Sequence, residues 1–254
     1  MTQTPAAGLR VDLSHDGQVL TLTLDRPDRL NAQDPALWEA LIQAQRDLPG
    51  TIRVAVLRGA GRAFSVGLDR ALFADPEGLV GLGRVSAEAA EARIGRWQQA
   101  FDWRSRPALT SVAAVQGHAI GAGFQLALGA DLRLLADDAQ FCMAEPALGL
   151  VPDLGGTKRL TDLVGYGRAI DICLTGRRVA APEAYAIGLA NQVVPAEGLD
   201  AAVDALVAAL LAVDRDAATE TKALLLGAAG RTQDEQQAAE RQAQHRRLQA
   251  LLGH

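Results

Sequence analysis

Ser111-Val-Ala-Ala-Val-Gln-Gly-His-Ala-Ile-Gly-Ala-Gly-Phe-Gln-Leu-Ala-Leu-Gly-Ala-Asp131 is an apolar run that stops at a glycine cluster and resumes with helical spacing. The first part reads as a buried strand, and the glycines open a helix whose first turn carries almost no side chains. The N–H groups of Gly121, Ala122 and Gly123 would sit bare at the positive end of that helix, open to a negative oxygen. The stretch is thus read as an anion site or an oxyanion hole.

A second turn of this kind lies upstream, where the strand pattern Arg53-Val-Ala-Val-Leu-Arg58 runs into Gly59-Ala-Gly-Arg-Ala-Phe-Ser-Val-Gly-Leu-Asp69. Two such turns after two strands can aim two backbone N–H groups at one oxygen that gains charge in a transition state, and one donor of this kind can be worth ~2.7–4 kcal/mol. Neither turn fits the dinucleotide pattern G-x-G-x-x-G, because the third glycine falls on Phe64 and on Leu126. Gly155-Gly156-Thr157-Lys158 fails the phosphate-loop pattern, lacking a glycine directly before the lysine and a Ser or Thr after it. The plainer alternative is that the glycines serve only tight strand-to-helix turns.

With 254 residues and 49% hydrophobic content the chain can bury a full core. Its net charge of −5, with the basic residues scattered, argues against a nucleic-acid surface. Cys142 and Cys173 form no pairing pattern and read as reduced thiols of a cytoplasmic protein. Met1 to Leu13 has no secretion signal, and the longest apolar run, Ala205 to Val213, is far below the ~20 residues that span a bilayer. Neither a membrane nor a nucleic acid is expected as partner. The scattered histidines and cysteines have no metal-ligand spacing.

Leu9 to Asp16 and Val19 to Leu24 alternate apolar and polar around Asp16-Gly17, as a hairpin does. Asp34 as N-cap and Pro35 at the first helical position start a helix through Leu37, Leu41 and Ala44. Strands at Val54 to Leu57, Ser111 to Val115 and Leu132 to Leu135 alternate with helical segments, which points to α/β organisation. Leu199 to Val213, Ala217 to Leu226 and Thr232 to Leu252 read as three further helices. The last is polar enough to need a partner surface. The expected division is a core over residues 1–195 and a helical C-terminal region over 196–254 that mediates assembly. No internal repeat is evident.

With these residues laid out, the chain resembles the enoyl-CoA hydratase/isomerase (crotonase) superfamily over nearly its whole length. The matching pieces are Leu24-Asp-Arg-Pro-Asp-Arg-Leu-Asn31, the Gly59 to Asp69 turn, Gly117 to Leu126, and Ala139 to Thr157. Leu174-Thr-Gly176 and Gly188-Leu-Ala-Asn-Gln-Val-Val194 add two more, and their order and spacing together are specific. The resemblance implies a spiral of repeated ββα units, trimers often paired into hexamers, and an acyl-CoA thioester as substrate. It implies no separate cofactor, since coenzyme A arrives as part of the substrate, and no metal. By position, the oxyanion donors are the N–H groups of Leu68 and Ala122. Arg29 lies near the CoA phosphates, and the backbone around Ala63 and Ser65 meets the adenine.

The hydratases of this family use two glutamates, one to activate water and one to deliver a proton. The second of these positions is Glu145; the first is Gln125, which has no proton to exchange at neutral pH. Asp153 stands where some relatives, among them dienoyl-CoA and ring-modifying isomerases, carry a functional aspartate; the plainer reading is an N-cap or turn residue. Asp69 reads as a helix cap, and His118 as a core or loop histidine. The expectation is an isomerase that moves a double bond with Glu145, and Asp153 as a possible partner. The alternatives are a hydratase in which Gln125 holds the water, and an acyl-CoA binding protein that catalyses little. Ala71 to Gln98, with Leu79, Val80, Leu82, Val85, Ile94 and Trp97, is expected to form much of the wall around the acyl group.

Overall fold

The computed structural model describes residues 3–74 and 79–253, and for 3–6 and 79–80 the backbone only. Leu79, Val80 and His254 thus lie, in side chain or whole, outside the described residues. The hairpin forms from β2 (Leu9–Ser14) and β3 (Val19–Leu24), paired antiparallel from Leu9 with Leu24 to Ser14 with Val19. Its turn holds His15, Asp16 and Gly17 all at positive φ, so the Asp16-Gly17 signal marks its middle. β1 (Gln3–Ala6) extends the hairpin at its outer edge.

From β3 onward the sheet is parallel. β4 (Val54–Gly59), β5 (Thr110–Val115), β7 (Leu132–Ala136) and β10 (Gln192–Val194) follow, giving the order β1-β2-β3-β4-β5-β7-β10. Both faces are covered, which is why these strands read as continuous apolar runs. Leu20, Leu22, Leu57 and Ala113 point into the main core with Leu37, Trp38 and Leu41 of α1 (Pro35–Arg46). Val54, Val56, Val112 and Leu134 point to the other face and pack on Leu199, Val203 and Val207 of α8 (Leu199–Ala212). Each buried Val or Leu among these contributes ~1.5–3 kcal/mol. As expected, the Asp34 carboxylate accepts the Leu37 N–H at 2.8 Å to cap α1, with Pro35 at the first turn.

A second, smaller layer changes the reading of the glycine stretch. Between β5 and α4 (Ala122–Leu128) the chain turns at Gln116–Gly117 and forms a further strand, β6 (His118–Ile120), instead of entering the helix directly. β6 pairs with β8 (Gln140–Cys142), which pairs with β9 (Val179–Ala180). Single bridges, Ser65 with Ala119 and Gln33 with Leu68, continue this layer toward the N-terminus. The repeat is therefore a long strand in the large sheet, a short extended piece in the small one, then a helix. It runs β3, Gln33, α1; then β4, Ser65 to Leu68, α2 (Ala71–Ala74) and α3 (Ala87–Gln98); then β5, β6, α4; then β7, β8, α5 (Gly156–Val164).

α6 (Tyr166–Thr175) and α7 (Ala181–Ala186) close the end near β9. Past residue 195, α8 belongs to the packed sheet: Arg53 at the start of β4 donates to Leu211 O at 2.9 Å and Val213 O at 2.6 Å, fixing its C-terminus. The soft boundary near 195 thus runs through a packed unit. α9 (Arg215–Ala228) and α10 (Gln233–Leu251) form a hairpin, in which only Ala243 is buried among the described residues.

Candidate active site

The pieces of the small layer that precede helices meet over one cavity. Leu68 is bridged to Gln33, whose N–H donates to Gly67 O while its own O accepts the Asp69 N–H, both at 2.7 Å. The Leu68 N–H is thereby turned to the other side, where no backbone acceptor among the described residues meets it. Ala122 opens α4 after Gly121, whose φ of 52° suits glycine. Gly121 gives its N–H to Cys142 O at 2.8 Å, so the expected trio of bare donors loses one member. The Ala122 N–H likewise meets no backbone acceptor among the described residues. Gly67, at φ 83°, lies so close that a Cβ there would stand 2.4 Å from Ile120 O and 3.2 Å from Ala122 N. The two turns thus abut, with two unclaimed N–H groups beside each other.

Buried polar side chains hold the first turn. The Ser65 hydroxyl accepts the Gly67 N–H at 3.1 Å and the Gln33 amide at 3.0 Å, and donates to Asn31 O at 2.7 Å. Gln33 Oε1 accepts the Trp38 indole N–H at 2.8 Å. Ser65 and Gln33 are both 0% exposed, so all this hydrogen bonding is internal. Sequence reasoning missed Gln33 and Trp38, because nothing in a lone Gln or Trp on an apolar face states its partner.

Beside the second of these turns stands Glu145, which precedes the short 3-10 turn Pro146–Leu148. Its carboxyl rests on Gly121: a Cβ there would be 3.2 Å from Oε1. Oε1 accepts the Gln125 amide N–H at 2.8 Å, whereas the buried Oε2 has no hydrogen-bond partner among the described residues. Burial pushes the Glu145 carboxyl above the ordinary carboxylate range, and the charge of Asp153 adds to this, against the hydrogen bond from Gln125. Asp153 is half-buried and also pushed up, chiefly by burial. It does not cap α5, whose N-cap is Gly155. Two desolvated carboxylates therefore face one cavity, a pair in which one group holds a proton more readily while the other is charged.

Gln125 is 1% exposed and lies behind Glu145, not in the cavity wall. Its Oε1 accepts the N–H groups of Leu154 at 2.9 Å and Gly156 at 3.1 Å, and its amide N–H is given to Glu145. With its oxygen doubly engaged, it has no place for a substrate water. The expectation that Gln125 holds the water is corrected on this geometry.

The cavity has a volume of about 400 Å³, within the range of small-molecule sites. Leu68, Ala122, Glu145 and Asp153 line its polar side, and Trp38, Phe73, Leu82, Ile94 and Trp97 its apolar side. Trp38 and Trp97 touch with ring centroids 5.2 Å apart. Val85, expected in this wall, is 44% exposed and faces outward.

Of the residues expected near coenzyme A, Arg29 sits on the Pro27–Arg29 turn, 62% exposed in its side chain, with Nη1 3.2 Å from Asp69 Oδ2. Asp69 caps the turn before α2 through the Ala71 N–H, and this bond with those of Arg26 and Arg29 holds its carboxyl below the ordinary range. Ser65 does not fit the expectation that its backbone meets a ligand: its N–H is given to His118 O, and its O accepts the Ile120 N–H. Ala63 is likewise 0% exposed, and its O accepts the Asn31 amide at 2.8 Å. Both build the turn from beneath. His118 lies 3.5 Å from Arg178 and outside the cavity wall.

Residues 14–251 match the family model of enoyl-CoA hydratase/isomerase. The chain is 39% identical to a carnitinyl-CoA dehydratase of Salmonella arizonae over 196 residues, 75% of this chain and 70% of that protein. It is also 39% identical to the 1,2-epoxyphenylacetyl-CoA isomerase of Escherichia coli over 194 residues, 74% and 71% of the two chains. Among solved structures, a Thermobifida fusca protein assigned as an enoyl-CoA hydratase and crystallised with CoA is 47% identical, with a TM-score of 0.92 over 98% of this chain and 95% of that one. The same assignment describes a complex with acetoacetyl-CoA, 47% identical with a TM-score of 0.91 over 96% of each chain. Fold and relatives agree, and the chain belongs to the enoyl-CoA hydratase/isomerase (crotonase) family.

Proposed function

We propose that the protein binds acyl-CoA thioesters and moves a carbon–carbon double bond within the acyl group. The observation that carries this reading is the desolvated carboxyl of Glu145 in the lining of the same small apolar cavity as Leu68 and Ala122, whose N–H groups no backbone acceptor among the described residues takes. In the reaction, Glu145 takes a proton from the carbon alpha or gamma to the thioester carbonyl. The electrons of that C–H bond move into the carbonyl system, and the oxygen that gains charge is held by the two N–H groups. The proton then returns from Glu145 at another carbon, the double bond shifts and the Glu145 carboxylate is restored; where Asp153 delivers the proton instead, the one held by Glu145 passes to the Asp153 carboxylate and resets the pair. Protons balance within the substrate and the pair of carboxyls, so no cofactor besides the CoA carried by the substrate enters. The role assigned to Arg29, whose exposed side chain is paired with Asp69, is to meet a CoA phosphate.

An isomerase is favoured over a hydratase because addition of water needs a second proton-exchanging group at the position held by Gln125, whose amide is neutral and engaged. The names of the relatives support the second reading, a hydratase that works with Glu145 alone. Incubation with 3-enoyl-, 2-enoyl- and ring-bearing acyl-CoA thioesters, with products separated by chromatography, decides between them. Double-bond migration without hydroxyacyl-CoA supports the isomerase; hydroxyacyl-CoA as main product replaces it with the hydratase. The assembly we propose is a trimer or a dimer of trimers, supported by leucines left open on the C-terminal hairpin: Leu225, Leu248, Leu251 and Leu252 are all 49% exposed or more.

A further inference from the structure

Gln125 makes three hydrogen bonds from a side chain that never reaches the cavity, and together they tie the Glu145 carboxylate and the backbone after Asp153 to one amide. Its N–H fixes Oε1 of Glu145 at 2.8 Å. Its carbonyl takes the N–H of Leu154, the residue directly after Asp153, at 2.9 Å, and that of Gly156 at 3.1 Å. The fit is close on the other side as well: a Cβ on Gly156 would lie 2.7 Å from Gln125 Cγ, so the segment carrying Asp153 is packed directly on this side chain. A planar amide on helix α4 therefore joins Glu145 to the segment that carries Asp153 and fixes the orientation of the Glu145 carboxyl.

We propose that Gln125 is a positioning residue which orients the Glu145 carboxyl and holds the segment that carries Asp153 in register with it. This rests on the reading of Glu145 as the proton shuttle, but adds a task that the shuttle alone does not require. The choice of an amide has a physical reason. Only a side chain with a donor at one end and an acceptor at the other satisfies a carboxylate on one side and two N–H groups on the other. A glutamate there keeps the acceptor for Leu154 and Gly156, but puts oxygen against Glu145 Oε1 at a distance that requires a shared proton.

Gln125→Glu and Gln125→Asn test this, the second being too short to reach both partners. For each, kcat and KM for double-bond migration are measured against pH, beside an infrared titration of the carboxyl band assigned with Glu145→Gln. Gln125→Glu is expected to keep KM within about threefold, lower kcat at neutral pH by about 10–100-fold, and move both the acid limb of the rate profile and the infrared transition to higher pH. Gln125→Asn is expected to lose a similar factor in kcat at similar KM, and serves alone if the glutamate variant does not fold. Wild-type kcat and an unmoved acid limb in a folded variant would overturn the positioning role, even where Glu145 is confirmed as the shuttle. If the wild-type protein moves no double bond, the functional reading fails, and the infrared transition still decides whether Gln125 governs Glu145.

Discussion

Gly67→Ala is the perturbation that addresses the paired backbone donors most narrowly, since it adds one methyl group and removes no hydrogen bond. The added Cβ would stand 2.4 Å from Ile120 O, where real contacts start at about 3.0 Å, so the two turns must part by roughly 0.6 Å. The residue must also hold φ 83° with a side chain, at ~1–2 kcal/mol. That is small against the ~5–15 kcal/mol that holds a native domain together, so the variant should fold. The Leu68 and Ala122 N–H groups, however, would no longer converge on one oxygen. Loss of one such donor corresponds to ~2.7–4 kcal/mol of transition-state stabilisation, or a fall in kcat of about 10²–10³. The assay is turnover of an enoyl-CoA at saturation, with circular dichroism to show the fold and calorimetry to show that CoA still binds. Gly95→Ala, in α3 with nothing near its added methyl, is the control and should retain full activity. A folded Gly67→Ala protein with wild-type kcat would refute the reasoning that these two N–H groups hold the developing charge.

Glu145→Gln should raise the melting temperature at pH 7 and leave it unchanged near pH 4. Because burial raises the Glu145 carboxyl, the native state keeps a proton that the unfolded chain has lost, so wild-type stability falls as pH rises from the ordinary carboxylate value through the raised one; thermal melts of both proteins across that range check it, and no difference at pH 7 would count against the desolvation. Trp97→Leu should open the apolar end of the cavity and raise the relative kcat/KM for longer or bulkier acyl groups, at a stability cost below the ~3–5 kcal/mol of truncation to alanine; an unchanged substrate ranking would remove Trp97 from the wall. Light scattering at micromolar concentration should give three or six times the mass of one chain, and a monomer would refute the assembly drawn from the exposed leucines.

The sequence disclosed most where a residue's task is local. Asp34 with Pro35 starts α1, Asp16-Gly17 marks the hairpin turn, and the apolar runs at Val54 and Ser111 are strands, because caps, turns and burial act over a few residues. The small layer was not visible in the same way. β6, β8 and β9 have two or three residues each, too short for a period, and their pairing joins positions 22 to 40 residues apart. At the site, Glu145 and the glycine turns were legible through the family pattern. What Gln125 does was not, since its three partners are a side chain and two peptide N–H groups that meet only in the fold. Ser65 shows the converse error, a residue in the right motif whose backbone and hydroxyl are wholly used inside the protein.

The central claim is that Glu145 moves a proton to and from a thioester whose enolate is held by Leu68 and Ala122. It is tested most directly by mass spectrometry of an acyl-CoA incubated in heavy water with the wild-type protein, Glu145→Gln and Asp153→Asn. Wild type should incorporate deuterium at the carbon next to the thioester; Glu145→Gln should incorporate none while binding the thioester within a few fold, since the amide keeps the shape without the basicity. Asp153→Asn should exchange, more slowly if it returns the proton. Exchange by Glu145→Gln at the wild-type rate would contradict the claim.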